Sequence, residues 1–103
     1  MSDRNQLHGS FGTYTLDDIA LLEIAKFYKE HRIKEALTQR LVGEQLGFTC
    51  SQFVSNWERG HCQLPEKHLN SVIHLYNINK KELFNIYYSN ARKSVIRFLR
   101  ESN

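Results

Sequence analysis

Between Leu37 and Gly60 the chain carries two helix-forming runs divided by a helix stop, and this limits the fold more than any other feature. Thr38 is a natural N-cap, and Gln39 to Leu46 follow with Val42 and Leu46 four residues apart on one face. Gly43 lies where a neighbouring helix can come close. Gly47 can adopt the left-handed backbone that ends a helix, after which Phe48 can plug the angle to the next one. The second helix is expected to begin near Thr49 or Cys50 and to run over about residues 50–58. It should bury Phe53 or Val54 together with Trp57. That leaves Ser51, Gln52, Ser55 and Asn56 with no apolar role.

Short polar side chains on the first turns of an exposed helix have the size and the mixed donors and acceptors needed to bond base edges in a major groove. Gln and Asn are the amides able to make a bidentate pair with adenine. At these residues the stretch resembles the helix-turn-helix of the lambda repressor and Cro type, the XRE family. The resemblance rests on Leu37-Thr38-Gln39, Gly43, Leu46-Gly47 and Trp57-Glu58-Arg59-Gly60. It covers about half the chain firmly, and Ile19 to Leu83 more loosely. Gly47 and Gly60 are one residue further apart than in the commonest family spacing. Ala36 stands where the family usually ends its first helix with glycine, and Leu41 takes a usually polar position.

The resemblance implies an all-α, lambda-repressor-like five-helix domain that reads DNA bases through Ser51, Gln52, Ser55 and Asn56. It also implies that the loop after Gly60 follows the phosphate backbone, making Arg59, His61 and Gln63 backbone contacts, with Gln39 approaching from the other helix. Arg32 is placed to pair with Glu58 and tie the first helix to the end of the third, a structural role.

The rest of the sequence is compatible with that expectation. With 103 residues, 41% hydrophobic content and a single proline, Pro65, the chain suits one small helical domain. No apolar run reaches membrane-spanning length, and Met1 to Ser10 is too polar for a signal peptide, so a cytoplasmic location is expected. Cys50 and Cys62 then read as reduced thiols. They share no metal-ligand spacing with His61 or His68, so neither metal nor cofactor is expected. No Gly-rich phosphate loop and no nucleophile with a base at motif spacing is present, which argues against an enzyme.

The net charge of +3 is unevenly spread. Arg40, Arg59 and Lys67 are balanced by Glu44, Glu58 and Glu66, so the reading unit is neutral and its phosphate contacts must lean on helix N-termini, amides and hydroxyls. Lys80, Lys81, Arg92, Lys93, Arg97 and Arg100 face only Glu82 and Glu101. The basic surplus is C-terminal.

Along the chain, residues 1–14 read as a flexible arm, residues 15–88 as the DNA-binding domain and residues 89–103 as a helical extension. Thr15 should cap the first helix, with Asp17 and Asp18 in its first turn, and that helix should run to about Lys34 with Leu21, Ile24, Ala25 and Tyr28 on one face. Pro65 opens a helix from Glu66 to Tyr76, and Asn79 caps the last one. From Lys80 to Glu101 nothing breaks a helix, and Leu83, Tyr87, Ala91, Val95, Phe98 and Leu99 keep a four-and-three rhythm. One long helix is expected, its outer half projecting beyond the body and covered by a second subunit, with a sixth helix folded back on the body as the competing explanation. The function expected is a sequence-specific transcription regulator, a repressor that binds an inverted-repeat operator on double-stranded DNA as a homodimer. The alternative is an antitoxin that masks a protein partner with its C-terminal helix or its aromatic N-terminal arm and regulates its own operon.

Overall fold

The computed structural model describes residues 16–101, which form five helices in chain order and, among the described residues, no strand. They are α1 (Asp18–Lys34), α2 (Gln39–Gln45), α3 (Gln52–Glu58), α4 (Glu66–Leu75) and α5 (Lys80–Glu101). The fold is all-α, and none of these helices is long and apolar enough to cross a membrane. The expected arm of residues 1–14, and Thr15, lie outside the described residues.

Helix α1 opens at Asp18, with Asp17 as its N-cap: Oδ1 of Asp17 accepts the Ala20 amide at 2.9 Å. The residue expected inside the first turn is therefore the cap itself. Thr38 does the same for α2, accepting the Leu41 amide at 3.0 Å, and Asn79 accepts the amides of Lys81 and Glu82 at the start of α5. Such caps satisfy N–H groups that a helix cannot bond internally.

The first four helices end in one way. After α2 the Phe48 amide bonds Gly43 O at 2.8 Å and the Gly47 amide bonds Glu44 O, a paired closure that places Gly47 in the left-handed region at φ 86°. The same two bonds recur after α1, α3 and α4, closing on Leu37, His61 and Ile78. The left-handed residue there is Ala36, Gly60 and Asn77 respectively. Ala36, at φ 59°, carries the Cβ penalty that glycine would avoid.

These stops fold the helices around one apolar core. Leu16, Ala20, Ile24 and Tyr28 meet Val42, Val54, Trp57, Val72, Tyr76 and Leu83 there. Helix α1 runs along α5, and the Tyr28 and Tyr87 hydroxyls join the two at 2.9 Å. Burial pushes the Tyr28 phenol well above its ordinary range.

Helix α5 is one uninterrupted helix of 22 residues, but its outer half lies back on α1 instead of projecting. Arg97 grips both carboxylate oxygens of Asp17, at 2.6 and 2.7 Å, while Ser94 Oγ accepts the Asp17 amide at 3.1 Å. The buried stripe consequently runs through Leu83, Asn90 and Ser94. Val95, Phe98 and Leu99, expected to find no cover on the body, are exposed, and so are Phe84 and Tyr88. The two polar residues on that stripe are both bonded: Asn90 Nδ2 donates to Ile86 O within the helix, and Ser94 accepts at the α1 cap.

Candidate nucleic-acid interface

Helices α2 and α3 meet across Gly43. A Cβ at that position would stand 3.3 Å from the carbonyl oxygen of Cys50, so glycine permits the close approach of the segment leading into α3. Phe48 fills the angle between the helices, with its ring 4.8 Å from Phe53, edge-on to Trp57 at 6.3 Å and to His68 at 4.9 Å.

Regular α3 begins at Gln52, later than the expected Thr49 or Cys50, because the longer connection after Gly47 is spent in turns over residues 49–51. Ser51 is its N-cap residue and makes no side-chain capping bond. Of the alternatives Phe53 and Val54, the core takes Val54, which is fully buried with Trp57 and Glu58 on the same face. Phe53 is 52% exposed.

Gln52 and Asn56 lie on the opposite face, with Ser55 at its flank and Ser51 at the N-cap. Gln52 is exposed, while Ser51, Ser55 and Asn56 are half-buried. Gln52 Nε2 donates to Asn56 Oδ1 at 2.9 Å, an i,i+4 pair. The pair orients both amides and still offers Gln52 Oε1 as an acceptor and Asn56 Nδ2 as donors. That combination is what an adenine edge requires.

The residues expected on the phosphate backbone divide. Arg59 and His61 are exposed and Gln63 is half-buried, all at the end of α3 or in the loop to α4. Gln39 is committed inward: its Nε2 donates to Glu58 Oε1 at 3.0 Å. Glu58 is held at the same time by Arg32, whose Nε and Nη2 reach the two carboxylate oxygens at 2.6 and 3.0 Å and whose Nη1 donates to Leu37 O at 2.7 Å. Hydrogen bonding to Glu58 pushes the Arg32 guanidinium above its ordinary pKa. The Glu58 side chain is only 1% exposed, so this pair fastens α1, the start of α2 and the end of α3 inside the fold.

Comparison with protein-family models, curated proteins and solved structures gives no match. Among the described residues no group of three or more His, Cys, Asp or Glu side chains could hold a metal ion. Cys50 and Cys62 are exposed free thiols. What the surface of α3 offers is a row of uncharged donors and acceptors on a helix fixed from behind by Val54, Trp57 and Glu58, with Arg59 and His61 at its end.

One feature was left undecided by the sequence and another was not anticipated. The exposure of Phe53 has no signal in apolar spacing, since Phe53 and Val54 are equivalent until the register of α3 is known. The Asp17–Arg97 clamp joins residues 80 positions apart, and no local pattern announces it.

Proposed function

We propose that this chain is a sequence-specific DNA-binding regulator of the helix-turn-helix, lambda-repressor-like type, with α3 as the helix that enters the major groove. The observation that carries the reading is the amide pair of Gln52 and Asn56, set on the face of α3 turned away from the core and held at 2.9 Å. Ser51 and Ser55 flank it. Arg59, His61 and Gln63 are assigned to phosphates, whereas Gln39, bonded to Glu58, positions helices.

The exposed apolar groups of α5, among them Phe84, Tyr88, Val95 and Phe98, favour a two-fold dimer. Two copies of α3 roughly 34–36 Å apart would enter successive major grooves on one face of an inverted repeat. Repression follows from excluding polymerase at such a site. The same apolar surface also suits a protein partner, which is what an antitoxin would require. Selecting bound duplexes from a random DNA pool tests the reading, with recovery of an inverted repeat as the expected result. Replacement of Gln52 or Asn56 by Ala should then cost about 1–3 kcal/mol on the selected duplex and little on random DNA. Equal losses on both would overturn the assignment of these residues to base reading.

A further inference from the structure

The reading of α3 uses its polar residues and leaves Phe53 without a role. This ring is 52% exposed on a helix whose outward face is otherwise polar. It is nevertheless held in place, because it lies against Phe48 at 4.8 Å with the ring planes 34° apart, and Phe48 is itself braced by Trp57 and His68. Phe53 follows Gln52 directly and precedes Asn56 by one helical turn, so its ring borders the amide pair on one side. An aromatic group fixed there would meet whatever the amides meet.

In the major groove the base edges present donors, acceptors and one apolar group, the C5-methyl of thymine. We infer that Phe53 is a specificity-determining residue that recognises a thymine through that methyl group, beside the base bonded by Gln52 and Asn56. Gln52 and Asn56 choose among hydrogen-bonding edges, and Phe53 adds a contact that only thymine can return. Its braced ring loses little freedom on contact, so most of the gain from burying the methyl is kept. The inference rests on the proposed reading of DNA by α3, and the following experiment separates the two.

Duplexes recovered from a random pool by the full chain are remade with each thymine in turn replaced by deoxyuridine, which removes the methyl and leaves the hydrogen-bonding edge intact. At one thymine position per recognised half, binding should weaken about fourfold, the value of one buried methyl. The Phe53→Ala chain should bind thymine and deoxyuridine equally at that position while keeping the discrimination supplied by Gln52 and Asn56. Phe53→Leu should retain a reduced methyl preference. Failure to recover any duplex removes the DNA reading and this inference together. Recovery of duplexes that tolerate deoxyuridine everywhere, or an undiminished methyl preference in Phe53→Ala, overturns this inference alone. So does loss of all DNA binding by both variants when their helical circular dichroism is unchanged, since Phe53 would then be needed for binding of any sequence and not for choosing thymine.

Discussion

The most demanding test of the fold is the replacement of Arg32. Its guanidinium makes three bonds at once, two to Glu58 and one to the carbonyl of Leu37, and sits almost entirely out of water. Arg32→Ala would leave the Glu58 carboxylate, 1% exposed, with the Gln39 amide at 3.0 Å as its remaining side-chain donor. Stranding a buried charge in this way costs about 3–5 kcal/mol. For a domain of this size such a loss lowers the melting temperature by roughly 15–25 °C. Arg32→Lys should fall between wild type and Ala, because an ammonium keeps the charge but cannot span both carboxylate oxygens and the Leu37 carbonyl together. Thermal and urea unfolding followed by circular dichroism would measure both. A loss below about 1 kcal/mol for Arg32→Ala, the range of an exposed ion pair, would refute the claim that this pair fastens three helices.

Three other perturbations have signs that follow from the structure. Arg97 holds the Asp17 carboxyl far below the usual carboxylate range, so this contact stabilises the fold above about pH 4, the unfolded value, and loses its contribution as pH falls from there. Asp17→Asn should therefore melt below wild type at pH 7, and the two melting curves should converge on acidification; a constant gap would deny the linkage. The Tyr76 hydroxyl is buried with no hydrogen-bond partner among the described residues and burial pushes its pKa up, so Tyr76→Phe should be neutral or stabilising by up to about 1 kcal/mol in denaturant titration. A loss above that would mean the hydroxyl is bonded in solution. Ala36→Gly should stabilise by about 0.5–1 kcal/mol by relieving a left-handed alanine, whereas Gly47→Ala should destabilise by about 1–2 kcal/mol for the converse reason. Opposite signs in equilibrium unfolding would contradict the two backbone conformations.

Much of this architecture was legible because it is written in short-range chemistry. Thr38 and Asn79 are side chains that cap, Gly47 is a residue that stops, and α1 ends at Lys34, about where it was expected to. The start of α3 was not readable to better than two or three residues, since Thr49, Cys50 and Ser51 can all cap or turn, and the choice depends on how closely Cys50 approaches Gly43. The path of the C-terminal helix was harder still. An uninterrupted helix with apolar residues out to Leu99 predicts an end that projects from the body, but Ser94 and Arg97 bond Asp17 and hold that end against the start of α1. Gln39 illustrates the same limit, because a surface amide and one bonded to Glu58 have the same sequence.

The clasp between Asp17 and Arg97 also bears on how fast the molecule opens. It joins positions 80 residues apart, while α2, its turn and α3 are connected by neighbours in sequence. Closing so large a loop is entropically unfavourable until the intervening helices are in place, so this contact belongs late on the folding route. Its removal should then leave the refolding rate nearly unchanged and accelerate unfolding, making the first and last helices a gate on the lifetime of the native state.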